Sequence, residues 1–465
     1  MTFIRSSARA WVEFYCHGKA GNPFRPPAIM DGVQYSKKLG QATGSVQMRF
    51  RGAKAADVND VEEGDWYKLF MARGRNVWET TAGRVTGKSV SVSGPSASVS
   101  LIIEGLDVGA PFIDTPVWFN DFSAQSNLGG RDMFRILKGA PGGSPKDMVE
   151  RLIGGMLGTD GLFGGHWQLP AKLWGGMGSP EESRDFHLAR VRGDRASTED
   201  KLYIDWLDLS QISGDMQGEI LAPSMIDAQG GGNLWSFLDT YRNPPLNELF
   251  IDYVQVDGED PRPTVVAREK PFVNLTDGRR SPWYQLPEHA IPSAEVESIS
   301  IRQGMNRINF IMVYGEVVPF MPNEPYAIHK PKYHAKSVQR HGLRRLEERT
   351  SFLHVEATRV ADSESWRDLV LGWNALQHRY WSGSIHLKDV RPDIRIGTRV
   401  TLHGRPGGWK GLPEDLTFYV EGVTHSVMEG ESPSSSTSLE VTRGYNDTDR
   451  FGDVREAVLE WEVIN

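Results

Sequence analysis

Four runs near the end of the chain decide the fold: RYWSGSIHL (379–387), DIRIGTRVTL (393–402), DLTFYVEGVTHSV (415–427) and STSLEVTRGY (436–445). Each places apolar residues at alternate positions: Ile385 and Leu387, Val400 and Leu402, Phe418 and Val420, Leu439 and Val441. That alternation buries one face of a strand and wets the other. Gly383, Gly397, Gly407-Gly408 and Gly422 punctuate the runs and are expected to set the corners. Short strands at this rhythm predict a small antiparallel barrel. A second β-rich region lies at the start. SVQMRFRG (45–52) alternates Val46, Met48 and Phe50, and three further runs carry the pattern to about residue 106. The fold class expected is therefore mainly β with an α+β insertion: two small antiparallel barrels and a loop-rich middle. The boundaries read as 1–110 for the first barrel and 111–297 for the middle domain. The second barrel spans 298–450 with a helix over 363–381, and a tail covers 451–465.

The middle is compositionally distinct. Glycine is frequent from 107 to 232, with Trp118, Trp167 and Trp174 among it, which suggests ordered loops packed on a neighbour rather than a flexible linker. Ser144-Pro145 starts a helix with Met148, Leu152 and Ile153 on one face. Another helix ends before Asn243-Pro244-Pro245. A third follows Asp362-Ser363, with Trp366, Leu369, Val370, Trp373, Leu376 and Tyr380 as a broad apolar stripe, expected against the C-terminal barrel. Residues 200–210 alternate Tyr203 and Asp205 with Ile204 and Trp206 and are expected to lend the second barrel a strand.

Composition bounds the function. The chain has 465 residues and a net charge of -8, against a dedicated nucleic-acid binder. Its one cysteine, Cys16, excludes an intrachain disulfide or a cysteine-rich zinc site. No apolar run is long enough to span a membrane, and the N-terminal stretch lacks a signal-peptide core, so no membrane anchor is expected. AGRVTGKS (82–89) approaches a phosphate loop, but Ala82 replaces the first glycine and the run continues into a strand instead of a helix. His329 and His334 do not share a helix face as metal ligands would. With 60 acidic residues a carboxylate pair for hydrolysis is available, yet nothing singles one out. The expectation is no enzyme, no catalytic residue, no metal and no cofactor. The basic run KPKYHAKSVQRHGLRRLEER (330–349) reads as a solvated or interface loop.

The order of the C-terminal pieces resembles the baseplate hub proteins of contractile phage tails, the late-control and spike-hub family. The resemblance continues upstream through LWSFLDTYRNPPLNELFID (234–252), PTVVAREKPF (263–272) and SVQRHGLRRL (337–346), and covers roughly 234–445. It implies a virion protein, assembled in the host cytoplasm. Its homotrimeric ring would join a sixfold tail tube to a threefold spike. The implied partners are the tube or its initiator protein, the central spike and neighbouring baseplate wedge proteins, with DNA passing only through the lumen. Residues 2–106 and 298–445 would be two copies of one barrel. The same resemblance implies roles for single residues. Asn247 and Glu248 cap a new turn or tie down the adjacent strand, and Arg268 pairs with Glu248. Gly342 permits a turn between Arg340 and Arg344, which lie at a subunit or tube contact. Arg443 is available for an interchain salt bridge. A hub with embedded cell-wall hydrolase activity and the hub of a phage-derived contractile injection system are the alternatives.

Overall fold

A computed structural model describes residues 8–16, 30–51, 61–93, 98–117, 144–158, 167, 169, 173, 202–216, 232–255, 260–272, 282–303, 307–315, 330–350, 359–403, 415–429, 433–446 and 458–464. Most of the glycine-rich stretch, with Trp118 and Trp174, lies outside them. The first six strands are β1 (Ala8–Tyr15), β2 (Met30–Lys38), β3 (Ser45–Arg51), β4 (Trp66–Arg73), β5 (Asn76–Ser93) and β6 (Ser98–Asp107). They pair antiparallel in the order β1-β4-β5-β6-β3-β2. Their alternate residues, among them Val12, Val33, Met48, Leu69, Val85 and Ile103, reach one buried cluster. Six strands can share one core only where their sheet curls on itself, so they form a small barrel.

The chain then builds α1 (Ala110–Asp114), β7 (Pro116–Val117), α2 (Pro145–Leu157), α3 (Tyr203–Trp206), β8 (Gly232–Asn233), α4 (Leu234–Tyr241) and the hairpin β9 (Asn247–Val254)–β10 (Arg262–Glu269). In α2, Ser144 accepts from the N–H of Asp147 at 3.2 Å while Asp147 reaches back to the Ser144 backbone, which satisfies two orphan donors of the first turn. Its Met148, Leu152, Ile153 and Met156 join the largest core. Almost every residue of β9 is buried because its two faces serve two cores: Leu249, Ile251 and Tyr253 the middle one, Phe250 that of the second barrel.

Next come β11 (Glu288–Pro292) and β12 (Val296–Gln303), then β13 (Phe310–Gly315), β14 (Lys332–Tyr333), α5 (Ala335–His341), β15 (Arg345–Thr350) and α6 (Arg359–Asn374). The last strands are β16 (Trp381–Leu387), β17 (Arg399–His403), β18 (Leu416–Met428), β19 (Ser434–Tyr445) and β20 (Glu462–Val463). The second barrel pairs in the order β11-β17-β18-β19-β16-β12 around Ile291, Val400, Phe418, Val420, Leu439 and Ile385. In both barrels the strands, numbered from the first of each, run one-four-five-six-three-two. One difference separates them: β1 joins β4 antiparallel, whereas β11 joins β17 parallel.

Four expectations about organisation change. The second barrel begins at β11, ahead of residue 298, and residues 200–210 give it no strand. Tyr203 and Trp206 are both buried, and three-residue spacing puts both on one side of a helix but on opposite sides of a strand. The segment forms α3 and then bridges β10 at Asp208–Thr264 and Ile212–Ala267. Within 298–450, strands β13, β14 and β15 leave the barrel to form a separate sheet, β15-β13-β14-β20, to which the presumed tail contributes β20 and the buried Trp461. The stripe of α6 is buried, but in the middle core. That core touches the outer face of the second barrel at Tyr419 and Tyr445.

Candidate functional site: the barrel junction

The two barrels join edge to edge. Residues 32–38 of β2 pair antiparallel with 422–428 of β18, making one continuous sheet. Strand alternation in β2 turns Val33, Tyr35 and Lys37 to the same side, so a lysine is driven inward. Lys37 forms an ion pair with Asp107 at the end of β6, and both side chains are fully buried. The Tyr35 hydroxyl donates to the same carboxylate at 3.3 Å, and the Gly109 N–H donates to its other oxygen at 3.0 Å. Burial, with Asp107 beside it, pushes the Tyr35 hydroxyl well above its ordinary range, so it stays a donor.

A small cleft at this junction is lined by Tyr35, Lys37, Thr80, Asp252, Arg395 and His425. Arg395 crosses it, donating to Asp252 of β9 at 3.3 Å and to the Thr80 carbonyl of β5 at 3.5 Å. Both barrels and the middle hairpin are thereby pinned by one guanidinium. His425 bonds Thr437 at 3.0 Å; burial, and then Arg395, lower its pKa to about 4, so it sits there neutral. At a second crossing Arg73 of β4 meets Glu295 and Asp389 of the second barrel, each at 3.1 Å, and Arg391 meets Glu295 at 2.8 Å. Burial raises the pKa of Glu295, but its hydrogen bonds to Arg73 and Arg391 outweigh that and hold it below the usual range. Desolvated pairs of this kind add little net stability, but removing one partner strands the other, so they fix one relative placement of the units.

The expected strand-tying residues form a second polar node. Arg268 of β10 donates to Glu248 of β9 at 2.7 Å and to the Gly397 carbonyl at 2.9 Å. Tyr419 of β18 donates to both oxygens of Glu248 at 2.8 Å. Burial opposes the charge on Arg268, yet Glu248 and Tyr419 hold it protonated well beyond its ordinary range. Gly397 has φ +73°, and a Cβ there would stand 2.6 Å from the Phe250 ring, so this turn requires glycine. Asn247 donates to the Arg242 carbonyl at 2.6 Å, and Arg242 donates back to the Asn247 carbonyl at 2.7 Å, fastening β9 to the end of α4.

Other expected residues sit differently. Gly383 and Gly422 lie at bulges inside β16 and β18 rather than at corners between strands. Arg443 is engaged within its own chain. Its guanidinium lies 3.4 Å from the centre of the Phe272 ring and donates to the Trp373 carbonyl at 2.6 Å and to Asn374 at 3.2 Å. Trp373 is 1% exposed and meets Phe272 edge to face at 6.1 Å.

No protein-family model matches the chain, and no curated protein matches it either. Among solved structures, the tail protein from Neisseria meningitidis MC58 aligns at TM-score 0.47 and 12% identity over 93% of this chain and 96% of its own. The 43 kDa tail protein of prophage MuSo2 from Shewanella oneidensis aligns at 0.44 and 9%, over 96% and 98%. An E. coli component of the type VI secretion system aligns at 0.42 and 8%, over 95% and 78%.

Arg340 and Arg344 are exposed on either side of Gly342, which ends α5 at φ +71°. Buried Asn309 holds that turn, donating to the Gly342 carbonyl and accepting from the Arg344 N–H, both at 2.7 Å. Arg307, Arg340 and Arg344 all lower the pKa of His341, after desolvation, and the three arginines make no ion pair among the described residues. A cationic ridge therefore stands on an acidic chain. Among the described residues no three His, Cys, Asp or Glu side chains gather as a metal site. No helix among them is long and apolar enough to cross a membrane.

Lys37, Asp107, Asp252, Arg395 and Tyr419 were not read from the sequence as site residues. Lys37 carried a signal, since the alternation of β2 points it inward and a buried lysine requires a partner. The others carried none, because their side-chain partners lie 70 or more residues away in the chain.

Proposed function

We propose that this chain is a structural, non-enzymatic hub protein of a contractile tail baseplate, working as a homotrimeric ring. The observation that carries the reading is the doubled barrel: one chain holds two six-stranded barrels of the same strand order, locked side by side. Three such chains present six near-equivalent barrels to a sixfold tube, while the middle units and the sheet of β13 to β15 repeat three times and match a threefold spike. The order of sequence motifs over 234–445 supports the same reading. The buried charge at the barrel junction supports a scaffold role, since Asp107, Asp252 and Glu248 are each committed to a cation inside the chain. In this reading the partners are the tail tube or its initiator, the spike and wedge proteins. DNA only passes through the lumen, and the protein resides in the virion tail. Light scattering on the purified protein tests it. The expected mass is three times the 52.0 kDa of one chain, and a stable dimer refutes the ring.

A further inference from the structure

The chain carries its charge unevenly. Its densest acidic run is DVNDVEEGD (57–65), five carboxylates in nine residues without a cation among them. Its densest basic run is KPKYHAKSVQRHGLRR (330–345). In the acidic run Val61 and Asp65 are buried, which leaves Glu62 and Glu63 exposed on the turn that enters β4. The turn is fixed: Asp65 accepts the Glu62 N–H at 2.9 Å, and its own N–H donates to the Glu62 carbonyl at 3.1 Å. The neighbouring cations Lys88 and Arg84 donate to the carbonyls of Val61 and Gly64, at 3.1 and 3.2 Å, and so hold its shape. Neither Glu62 nor Glu63 forms an ion pair among the described residues.

The ridge of Arg307, Arg340 and Arg344 is the opposite case. Besides its two side-chain bonds to the turn, Asn309 donates its own N–H to the Arg344 carbonyl and accepts from the His334 N–H, both at 3.0 Å. The turn is therefore held from beneath at four points, and its tip residue Leu343 is 47% exposed between the two arginines. Carboxylates of the same unit are already engaged: Glu460 by His334 at 2.9 Å and Lys336 at 3.5 Å, and Glu347 by Arg345 at 3.5 Å. Glu348 has Lys270 as the cation acting on it. Desolvation, and then Arg307 and its neighbours, lower the pKa of His341 and His378, the latter to about 4, and no carboxylate offsets them. Three guanidiniums thus stand together without an anion. An apolar tip rimmed by arginines is the anatomy of a protein contact, whereas a phosphate backbone would leave Leu343 in water.

We propose that the Arg340–Arg344 turn of one copy docks on the Glu62–Glu63 turn of the next, its guanidinium forks taking the two carboxylates that the chain itself leaves unpaired. The inference rests on the homo-oligomeric reading above and names a contact within it. Charge complementarity selects the occupant: a set of cations without anions and a pair of anions without cations belong to one chain, yet do not pair inside it. Copies that each carry a net charge of -8 repel one another at long range, so a local contact of opposite sign sets the orientation in which they meet. Both turns are fixed before they meet, so little side-chain or loop ordering is needed beyond the arginines themselves. The contact joins two different surfaces, so it is heterologous and propagates head to tail until a ring closes.

Charge exchange, read by light scattering, tests it. The ridge is reversed by Arg340→Glu/Arg344→Glu, the acidic turn by Glu62→Arg/Glu63→Arg, and both together in a fourfold variant. All four side chains are exposed, so the substitutions leave the core intact, which circular dichroism checks. Each reversal alone is expected to give the mass of one chain. The fourfold variant is expected to recover the parent mass, because opposite charges meet again. As a control for net charge, the ridge reversal is combined with Glu104→Arg/Glu297→Arg, two exposed glutamates elsewhere, and should stay a single chain. A fourfold variant that stays a single chain overturns the contact, and so does rescue by the control pair. Ridge reversal that keeps the parent oligomer overturns the contact and leaves the ring standing. A parent protein that is a strict monomer overturns both. Ridge reversal that keeps the oligomer but abolishes the parent's gel shift of a double-stranded DNA fragment assigns the ridge to phosphates, and the contact falls.

Discussion

Replacing Trp373 with alanine tests whether α6 fastens the middle unit to the second barrel. The indole is 1% exposed, packed edge-on to Phe272, whose other surroundings include Tyr419 at 5.4 Å and the Arg443 guanidinium. Burying about 200 Å² of aromatic surface at about 25 cal/mol per Å² amounts to about 5 kcal/mol. Two corrections lower it. Alanine keeps the Cβ, and the indole N–H is buried without a hydrogen-bond partner among the described residues, so its removal relieves a desolvation cost. The expected loss is about 3–5 kcal/mol. The Arg443 bond to the Trp373 carbonyl survives, because alanine keeps its backbone.

An unfolding entropy of about 2.1 cal/mol/K per residue is about 1 kcal/mol/K over the whole chain, so Tm should fall by about 3–5 °C if the chain melts as one unit. A larger fall is expected if the middle unit melts separately. Trp373→Phe removes the same N–H but keeps most of the ring, and should cost less than half as much. Differential scanning calorimetry of the three proteins decides it. An alanine variant with unchanged Tm and unchanged assembly would refute the reasoning, and so would a phenylalanine variant as damaged as the alanine one.

Two further predictions concern charge. Arg340→Glu/Arg344→Glu should leave circular dichroism unchanged, since both side chains are exposed, yet abolish assembly measured by light scattering, because like charges across a buried contact cost several kcal/mol; rings that still form would place these arginines in solvent. His425 should make stability fall with acid. Its folded pKa of about 4 lies below the ordinary 6.5, so between those values the unfolded chain binds more protons and stability drops as pH falls. Between pH 7.5 and 5 the loss is about 2 kcal/mol, and His425→Gln should remove it from the difference in urea midpoints.

What the sequence disclosed follows from how locally each feature is determined. The strands around Phe418, Val420, Leu439 and Val441 were legible because alternation is written within each run. The Ser144-Pro145 start of α2 was legible because a cap involves residues three apart. Arg443 misled because an arginine next to a closing glycine reads as surface, and nothing local discloses that Phe272 waits under it. Residues 203–206 misled because four residues satisfy two periods at once, and only burial of both Tyr203 and Trp206 selects the helix. The polar junction was hidden for a third reason: Lys37, Asp107, Arg395 and Asp252 acquire partners only when strands distant in the chain are set side by side.

The repeat of the barrel was hidden most deeply. A barrel core accepts any apolar residues of suitable volume, so two copies can diverge until little is shared except the places where the backbone itself is constrained. Here that residue is a Val-x-Gly bulge facing a glutamate, at 85–87 and again at 420–422. The junction closed within the chain carries Lys37, Asp107 and a neutral histidine, all desolvated, beside a half-buried Arg395, which is tolerable only where the partners are never apart. A junction whose two halves belong to one chain can therefore carry buried ions.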